Sequence, residues 1–407
     1  MYKQEKINTN VDILVAVLGV FLGTLTGIIP GIHVNTAIAL LSASRPVDKN
    51  LIIVVISASI AHTFSDVIPA TFLGIPDESF AVSVYPAHEM SLDGRGIEAI
   101  TISTFSGVIA AIASIPLFYA ILRFIKVSYL EEFILPILIL TSLFVIIERG
   151  NSFAGRYSPF FSSMKALMVF TLSGIIGIAV FKLSSNKDLF LPLFSGLFAF
   201  PILYRGVKGI RNLPEQSILV KLKPLSALMG TVSGMIVSLF PGISSGVASL
   251  LAVSPLKESD AENYVSATGA ANTANALLCF AVMISAGRAR SGATLALKQV
   301  YKILNPADIL ILCLFSVVLS AIITILAGIL AERILRLINL RALCLISLIF
   351  VISAVILLTG VTGLLLFTVS CLVGLLPEKL DVKRLNCMGC LLLPLMFVRL
   401  GLMGLIQ

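Results

Sequence analysis

The sequence predicts an all-α polytopic membrane protein with about 10–12 transmembrane segments arranged in two repeats. Composition is the first reason, because 58% of the 407 residues are hydrophobic and only 12% are charged, which is far too apolar for a soluble domain. The second reason is that apolar runs of membrane-spanning length recur from one end of the chain to the other. The third is a motif that occurs twice and interrupts an apolar run each time.

The repeated motif combines two spaced glycines with a Pro-Gly pair. It reads Gly19-x3-Gly23-x6-Pro30-Gly31-Ile32 in the first half and returns 211 residues later as Gly230-x3-Gly234-x6-Pro241-Gly242-Ile243. Small residues spaced four apart allow two helices to pack closely in a membrane. A helix-interrupting element at corresponding places in two hydrophobic halves points to the central site of a secondary transporter.

The apolar segments follow one another with short polar loops between them. In chain order they are 11–29, 32–44, 50–75, 97–125, 130–147, 164–181, 188–204, 225–240, 243–256, 261–286, 307–330, 342–358, 361–376 and 386–406. As one helix, residues 11–44 would extend ~51 Å at ~1.5 Å per residue, against a hydrocarbon core of ~30 Å. A break costs least at Pro30-Gly31, because proline removes a backbone donor and glycine accepts unusual dihedral angles. Residues 225–256 raise the same problem at Pro241-Gly242, and a proline kink without a full break is the alternative in both halves.

Two membrane repeats and a connecting loop account for the whole chain. The first repeat covers 1–205, the second covers 225–407, and each contains a broken helix or re-entrant hairpin at its Pro-Gly pair. We expect the two repeats to be inverted relative to each other. The loop 206–224 joins them, and its positive charge is typical of the cytoplasmic side. The acidic stretch 77–98 is expected on the opposite side or in an aqueous vestibule.

Each break would place polar groups beside unpaired backbone N–H groups. A helix that restarts inside the membrane offers free amide donors and a dipole that favours an anion such as a carboxylate or phosphate. The candidate substrate-binding residues at the breaks are Pro30, Gly31, His33, Asn35, Thr36, Pro241, Gly242, Ser244 and Ser245. Two alternatives stay open: the short polar side chains could simply cap their own helices, or the carbonyl groups before each break could hold a sodium ion.

A second polar cluster lies deep inside an apolar run of each half. The first half contributes His62 and Asp66, and the second contributes Asn272, Thr273 and Asn275. Polar residues at such depth are costly and usually face a pathway or a polar partner. Asp66 and His62 are therefore candidates for coupling transport to sodium ions or protons, and the other three are candidates for binding substrate. A structural hydrogen bond between Asp66 and His62, one helical turn apart, explains the first pair equally well.

Several enzyme signatures are absent from the sequence. There is no Gly-x4-Gly-Lys-Ser/Thr loop and no HExxH motif, and we expect neither an enzyme nor a nucleotide-driven pump, and no resident cofactor or metal. Cys387-x2-Cys390 has metal-ligand spacing without a second close pair, and we read the six cysteines as buried hydrophobic residues. The short basic loops do not require nucleic acid. An intramembrane enzyme that uses His33, His62 and Asp66 remains a minor alternative.

These motifs resemble the large membrane subunit of the tripartite tricarboxylate transporter family. In the first half the resemblance runs through Gly27-Ile-Ile-Pro-Gly31, Thr71-Phe-Leu-Gly-Ile-Pro76, Tyr85-Pro86 and Gly94-Arg95. In the second half it runs through Gly230, Gly234, Pro241-Gly242 and Ala270-Ala271-Asn272, so it covers most of 15–110 and 225–285. Asp66 and His62 stand where the family typically has small or uncharged residues. Asn272 is followed by Thr273, so the pair of asparagines that is typical of the family is incomplete.

The resemblance implies a secondary carrier for citrate and related carboxylates that is driven by a proton or sodium gradient. It also implies two partners, a small membrane subunit and an extracytoplasmic solute-binding protein. By matching position, the family's site framework corresponds to Pro30, Gly31, Pro76, Pro241, Gly242 and Asn272. This agrees with the site that the broken helices indicate.

The hypothesis is therefore a multi-pass permease of the cell membrane that carries small organic anions, di- or tricarboxylates, in a pocket between the two breaks. A lipid-phosphate or polyprenyl-phosphate translocase is the main alternative, since a broken helix suits a phosphate head group equally well. The expected partners are the anion, the lipid bilayer and the two subunits that the resemblance implies. A homodimer is also compatible with the sequence.

Overall fold

Long apolar helices make up most of the chain, as the hydropathy pattern predicts. The computed structural model describes residues 12–29, 48–74, 84–124, 132, 134–147, 158–183, 189–208, 214–217, 222–239, 261–289, 291–300, 304–337, 339–382 and 384–402. The Pro-Gly pairs at 30–31 and 241–242 both lie outside these ranges.

Each half of the sequence forms a series of helices of very different length. The first half contains α1 Ile13–Ile28, α2 Lys49–Ser65, α3 Val67–Leu73, α4 Val84–Leu92, α5 Gly96–Phe124, α6 Ile134–Ile146, α7 Ser158–Leu183, α8 Phe190–Phe194, a π-helical turn Ser195–Ala199, and α9 Phe200–Lys208. The second half contains α10 Pro224–Leu239, α11 Ala261–Ala286, α12 Gly292–Val300, α13 Pro306–Arg336, α14 Leu340–Gly374, α15 Leu376–Leu380, a 3₁₀ turn Arg384–Met388, and α16 Gly389–Arg399.

Six helical segments of the described chain are long and apolar enough to cross a membrane. They are Lys49–Leu73, Gly96–Phe124, Phe160–Leu183, Ala261–Ala286, Pro306–Arg336 and Cys344–Leu380. Shorter apolar helices cover Ile13–Ile28, Phe190–Ala199 and Pro224–Leu239. The chain is therefore an all-α, multi-pass membrane protein. The expected segments 32–44 and 243–256 fall outside the described residues.

Two helix ends bear directly on the predicted breaks. Asp12 caps the start of α1 through its carboxylate, which accepts from the Leu14 backbone N–H at 3.0 Å. The helix then ends at Ile28, and Ile29 is already extended, with φ −87° and ψ 109°. Residues 11–44 are thus not one continuous helix. Far along the chain, α14 is interrupted at Gly360, where φ 69° and ψ −156° are open only to glycine, so the two apolar segments predicted on either side of this residue are separate helices.

Within each half, the motif helix runs parallel to the next long helix. Gly19 of α1 packs against Val54 of α2. Gly23, four residues later on α1, packs against Ala58, four residues later on α2. In the second half, Gly230 and Gly234 of α10 pack against Ala267 and Ala271 of α11. A Cβ at Gly19 would lie 2.6 Å from the Val54 carbonyl oxygen, so only glycine allows this approach.

The two parallel pairs run in opposite directions through the bundle. Along the α2–α3 segment, Phe64 touches Gly107 near the middle of α5 and Phe72 touches Gly96 at its start, so α5 is antiparallel to α2. Helix α5 is parallel to α11, because Arg95 pairs with Glu262 at one end and Gly107 meets Thr273 further along. Consequently α1 and α2 point one way, and α10 and α11 point the other.

Helices α2 and α11 form the interior of the bundle. The apolar window of the Lys49–Leu73 segment is 100% buried and that of Ala261–Ala286 is 83% buried, against 28% for Cys344–Leu380. Helices such as α14 therefore present apolar side chains to lipid, whereas α2 and α11 are surrounded by protein. Polar residues on these two inner helices are held away from both lipid and bulk water.

The described contacts contradict one of the two alternatives for the acidic stretch 77–98. Its placement on the side opposite to the basic loop 206–224 is wrong, because the described parts of the two segments touch, while the aqueous vestibule stays a prediction. The Ser217 backbone N–H donates to the Gly94 carbonyl oxygen at 2.6 Å, and the Gly96 N–H donates to Gln216 Oε1 at 2.6 Å. Charge pairing explains the difference, because Arg95, Glu98 and residues of the second half neutralise one another at the same end of the bundle.

Candidate substrate and ion site

The first motif helix ends beside the deepest carboxylate of the first half. A Cβ at Gly27, the second-last residue of α1, would lie 3.0 Å from the Asp66 backbone nitrogen. Asp66 sits at the junction of α2 and α3 and is 1% exposed. The close glycine packing of α1 on α2 thus brings the end of α1, two residues before Pro30, to the level of Asp66.

Asp66 is bound directly to the second half of the chain. Asn272 of α11 donates from Nδ2 to Asp66 Oδ2 at 2.8 Å, and both side chains are buried. A hydrogen bond to a buried carboxylate is worth more than one between neutral groups, because the charge has no water to replace it. Two of the residues that the sequence singled out in separate halves therefore form one central pair.

His62 lies one turn before Asp66 and contacts α1. Its Nδ1 is 3.1 Å from Thr26 Oγ1, and the Thr26 hydroxyl in turn donates to the Gly23 carbonyl oxygen at 2.9 Å. With the single Thr26 hydrogen directed to Gly23, Nδ1 of His62 donates to Thr26, so the direction of this bond depends on the imidazole tautomer. The expected side-chain bond between His62 and Asp66 stays a prediction, while these contacts tie His62 to the motif helix.

Thr273 adds a hydroxyl next to the central pair. It is 1% exposed, and among the described residues its Oγ1 has no hydrogen-bond partner. This oxygen points towards α5, where a Cβ at Gly107 would lie 2.8 Å from it and 3.0 Å from the Phe64 ring. A buried hydroxyl without a hydrogen-bond partner destabilises the fold unless a ligand, an ion or a water molecule bonds to it.

The second motif helix ends at a similar place on α11. Gly234 packs against Ala271, so Ser238, one turn later in α10, lies level with Asn275, one turn after Ala271. Asn275 Oδ1 accepts from Cys279 Sγ at 3.4 Å. The described part of helix α10 runs to Leu239, two residues before Pro241. The end of α1 and the last described turn of α10 therefore lie close to the central polar residues of α2 and α11.

The remaining predicted site residues lie outside the described parts of the chain. They are Pro30, Gly31, His33, Asn35, Thr36, Pro76, Pro241, Gly242, Ser244 and Ser245. Their proposed roles rest on the sequence. Within the described residues, no group of three or more His, Cys, Asp or Glu side chains could hold a metal ion. All six cysteines are free and buried.

Sequence reasoning missed two residues of this region. Thr26 carried no signal beyond being a polar residue near a helix end, and its contact with His62 depends on the rotation of α1 against α2. Gly107 lies outside the repeated motif, and only the packing of α5 against α11 brings it to Thr273. Spacing along one helix could not have found either.

Further polar contacts outside the central site join α3 to α4 and α5 to α11. The Thr71 carbonyl oxygen accepts from Nδ1 of the buried His88 at 2.9 Å. Burial lowers the pKa of His88 below its ordinary value, by more than this hydrogen bond raises it. Hydrogen bonds to Glu98, ahead of those to Glu262, raise the pKa of Arg95 above its ordinary value.

The family model of the tripartite tricarboxylate transporter TctA family matches residues 13–389, which is nearly the whole chain and includes every central residue described above. The chain belongs to the TctA family. It is 30% identical over 403 residues to an uncharacterized protein of Methanocaldococcus jannaschii, across 94% of this chain and 98% of that protein. No solved structure was found to match it. Members of this family are large membrane subunits of tripartite transporters, so this chain is a transporter component.

Proposed function

We propose that this TctA chain is the substrate-carrying subunit of a secondary active transporter for small organic anions, di- or tricarboxylates such as citrate. One observation carries the proposal: α1 ends, and the described part of α10 runs, beside the polar residues of α2 and α11, and those inner helices are joined by Asn272 and Asp66. A site at the meeting point of two interrupted helices is the arrangement that secondary transporters use for anions. The family membership supports the substrate class.

The substrate pocket would lie between the two Pro-Gly pairs. Free backbone N–H groups after Pro30-Gly31 and Pro241-Gly242 would bind carboxylate oxygens. On the described side of this pocket, Thr273 offers a buried hydroxyl that has no partner among the described residues. Asn272 and Asn275 lie on the same helix, one residue before it and two residues after it, and would supply further polar contacts.

Asp66 and His62 would couple substrate movement to an ion gradient. Asp66 is a carboxylate at the centre of the bundle, hydrogen-bonded to the opposite half of the chain. Binding a sodium ion or a proton there would change both its charge and its bond to Asn272. His62 would communicate the change to α1 through Thr26.

Alternating access would come from movement of the halves 1–205 and 225–407 against each other, with 206–224 as their connection. The opposite directions of the pairs α1–α2 and α10–α11 support an inverted relation between these halves. In such transporters one repeat rocks against the other around a fixed site. The hydrogen bond from Asn272 to Asp66 would then lie at the pivot.

The first experiment is thermal unfolding of the detergent-purified protein with a panel of carboxylates and prenyl phosphates, each with and without sodium. A ligand that binds only the folded state raises the melting temperature in a concentration-dependent way. We expect citrate-like anions to stabilise the protein. If only prenyl phosphates do so, the lipid-phosphate translocase replaces this proposal.

Two variants assign the response to the site. Thr273→Val keeps the shape of the side chain but removes the hydroxyl, and should weaken stabilisation by the anion. Thr368→Val is its control, because Thr368 is exposed and bonds only to the Leu364 carbonyl oxygen. Asp66→Asn should abolish the effect of sodium, or of pH if protons are the coupling ion. Equal responses of the wild type and all three variants would exclude this site.

Partner dependence is a separate part of the proposal. As a large TctA subunit the chain would work with a small membrane subunit and an extracytoplasmic solute-binding protein. Uptake into liposomes by the chain alone, compared with uptake when both partners are added, measures that dependence directly.

A further inference from the structure

A cluster of four charged residues joins the two halves at one end of the bundle. Arg95, just before α5, contacts Glu98 through Nε at 2.8 Å and through Nη2 at 3.0 Å. The same Nη2 contacts Glu262 at the start of α11. Lys223, just before α10, binds the other oxygen of Glu262 at 2.8 Å. We call these four residues the Arg95 cluster.

The Arg95 cluster is shielded from water more than an ordinary surface pair. The side chains of Glu98 and Glu262 are 3% and 10% exposed, while those of Arg95 and Lys223 are 36% and 26% exposed. Two positive and two negative groups balance, so the cluster is neutral as a whole. Removing one partner of a shielded pair leaves its neighbour's charge uncompensated, which is far more costly than losing a surface pair.

The chain that connects the halves is fastened over the same end. Gln216, 8% exposed, accepts from the Gly96 N–H at 2.6 Å and donates to the Ser91 carbonyl oxygen at 3.1 Å. Ser217 donates to the Gly94 carbonyl oxygen. Residues 214–217 therefore pack over the turn between α4 and α5 and are hydrogen-bonded to it.

A seam of small and hydroxyl-bearing residues runs from the Arg95 cluster towards the central pair. It lies between α5 of the first half and α11 of the second. Ser106 and Ser266 share a hydrogen bond of 2.8 Å, and Gly269 packs directly on Ser103. Further along, Gly107 meets Thr273, the neighbour of Asn272. The surface along which the halves would have to separate is thus the one that leads to the candidate substrate site.

We infer that the Arg95 cluster is a gate that closes the transport pathway at this end of the bundle, and that it opens when the α5–α11 seam separates. The inference rests on the proposed transport function, because a gate has a role only if a substrate pathway leads to this end of the bundle. In the structure the gate is closed, since every member of the cluster has an opposite charge within contact.

The first test needs no substrate. In a background without the native cysteines, Ser106→Cys places a thiol in the seam between the cluster and the central site. The rate at which a water-soluble maleimide labels this thiol measures opening of the seam. Adding Glu262→Gln should raise the rate about tenfold, by shifting the population towards the open state.

Glu332→Gln is the matched control for this labelling test. Glu332 is also buried and paired with an arginine, Arg336 at 2.7 Å on the same helix, α13. Arg336 contacts Glu215 of the connecting loop at 3.3 Å as well, and the variant keeps both of these residues while leaving the Arg95 cluster intact. It should leave the labelling rate unchanged. Equal labelling rates in the parent, Glu262→Gln and Glu332→Gln proteins would overturn the gate. Melting temperatures of all three proteins show whether they are folded.

The second test locks the seam. Because their oxygens are 2.8 Å apart, Ser106→Cys and Ser266→Cys should form a disulfide between the halves on oxidation. The oxidised protein should lose transport and regain it on reduction. A disulfide between Ser226→Cys and Asn263→Cys, whose side chains touch at 2.9 Å within the second half, should leave transport unchanged.

The two tests separate failure of the gate from failure of the proposed function. Unimpaired transport by the oxidised Ser106/Ser266 variant would overturn the gate whatever the substrate is. If no carboxylate is transported by any variant, the proposed function fails, and the labelling rates still decide whether the cluster controls access to the seam.

Discussion

At the scale of single residues, the central feature is a hydrogen bond that spans the two halves. Asn272 Nδ2 donates to Asp66 Oδ2 at 2.8 Å inside the most deeply buried part of the bundle. A carboxylate in such a place needs donors, because removing it from water without them costs several kcal/mol. The asparagine amide provides one such donor without adding a charge.

We expect Asn272→Ala to lower the free energy of unfolding by about 1.5–3 kcal/mol, the range for a hydrogen bond to a charged group. In a double-mutant cycle with Asp66→Asn, the interaction energy should be about 1–3 kcal/mol. Denaturant unfolding in detergent measures both. Asn305→Ala is the control: Asn305 bonds to Asp308 at 3.4 Å on the surface, and its loss should change stability by close to nothing. A cycle energy near zero would show that the central pair does not join the halves.

At the scale of elements, the glycine pattern acts by setting the distance between parallel helices. Gly23 lies against the backbone of Ala58, and Gly234 lies against the backbone of Ala271. Backbone atoms cannot move aside as a side chain can, so any Cβ at these positions forces the whole helix away. Because α1 carries Thr26 to His62 and ends at Asp66, a small displacement would also disturb the site.

Two glycine-to-alanine changes separate packing from helix propensity. Gly23→Ala should lower the unfolding free energy by about 1–3 kcal/mol through overpacking. Gly328→Ala should lower it by less, because the nearest atoms belong to the Ile100 side chain, at 3.0 and 3.2 Å, and not to the backbone, and a gain in helix propensity of up to about 1 kcal/mol offsets the crowding. Melting temperatures of the two variants in the same detergent make the comparison. Equal effects would mean that close backbone contact does not determine the packing of α1.

At the scale of the whole molecule, the two halves share one core. Helix α5 of the first half packs along α11 of the second, and α2 of the first packs against α13 of the second. The polar residues Asp66, Ser106 and Ser266 are buried only because both halves are present. A half on its own would expose such groups to lipid, where they have no partners.

A chain divided between 208 and 214 should therefore assemble only when both pieces are produced together. We expect co-expressed fragments to purify as one complex with a single thermal transition, and each fragment alone to aggregate or be degraded. Size-exclusion chromatography of the three preparations gives the answer. A monodisperse, cooperatively unfolding fragment on its own would show that each half folds independently. The intact chain carried through the same purification is the reference.

The membrane class, the apolar segments and the two motif helices could all be predicted from the sequence, because they depend on properties local to the chain. Hydropathy over about 20 residues decides whether a helix can span a bilayer. Proline and glycine decide where such a helix is interrupted, and the end of α1 at Ile28 agrees with the break predicted at Pro30-Gly31. The polar residues deep in α2 and α11 were also visible, since polarity stands out in an apolar run.

Which of these residues meet was decided by the tertiary structure alone. The sequence placed Asp66 and Asn272 in separate halves 206 residues apart, and only the opposite directions of α2 and α11 bring them together. The pairing of Arg95 with Glu262 had no sequence signal either, and the contacts beside it contradict one of the two alternatives for the acidic loop, its placement on the side opposite to the basic loop. Local chemistry fixes what each segment is; contacts between distant segments depend on helix direction and rotation, which no single segment encodes.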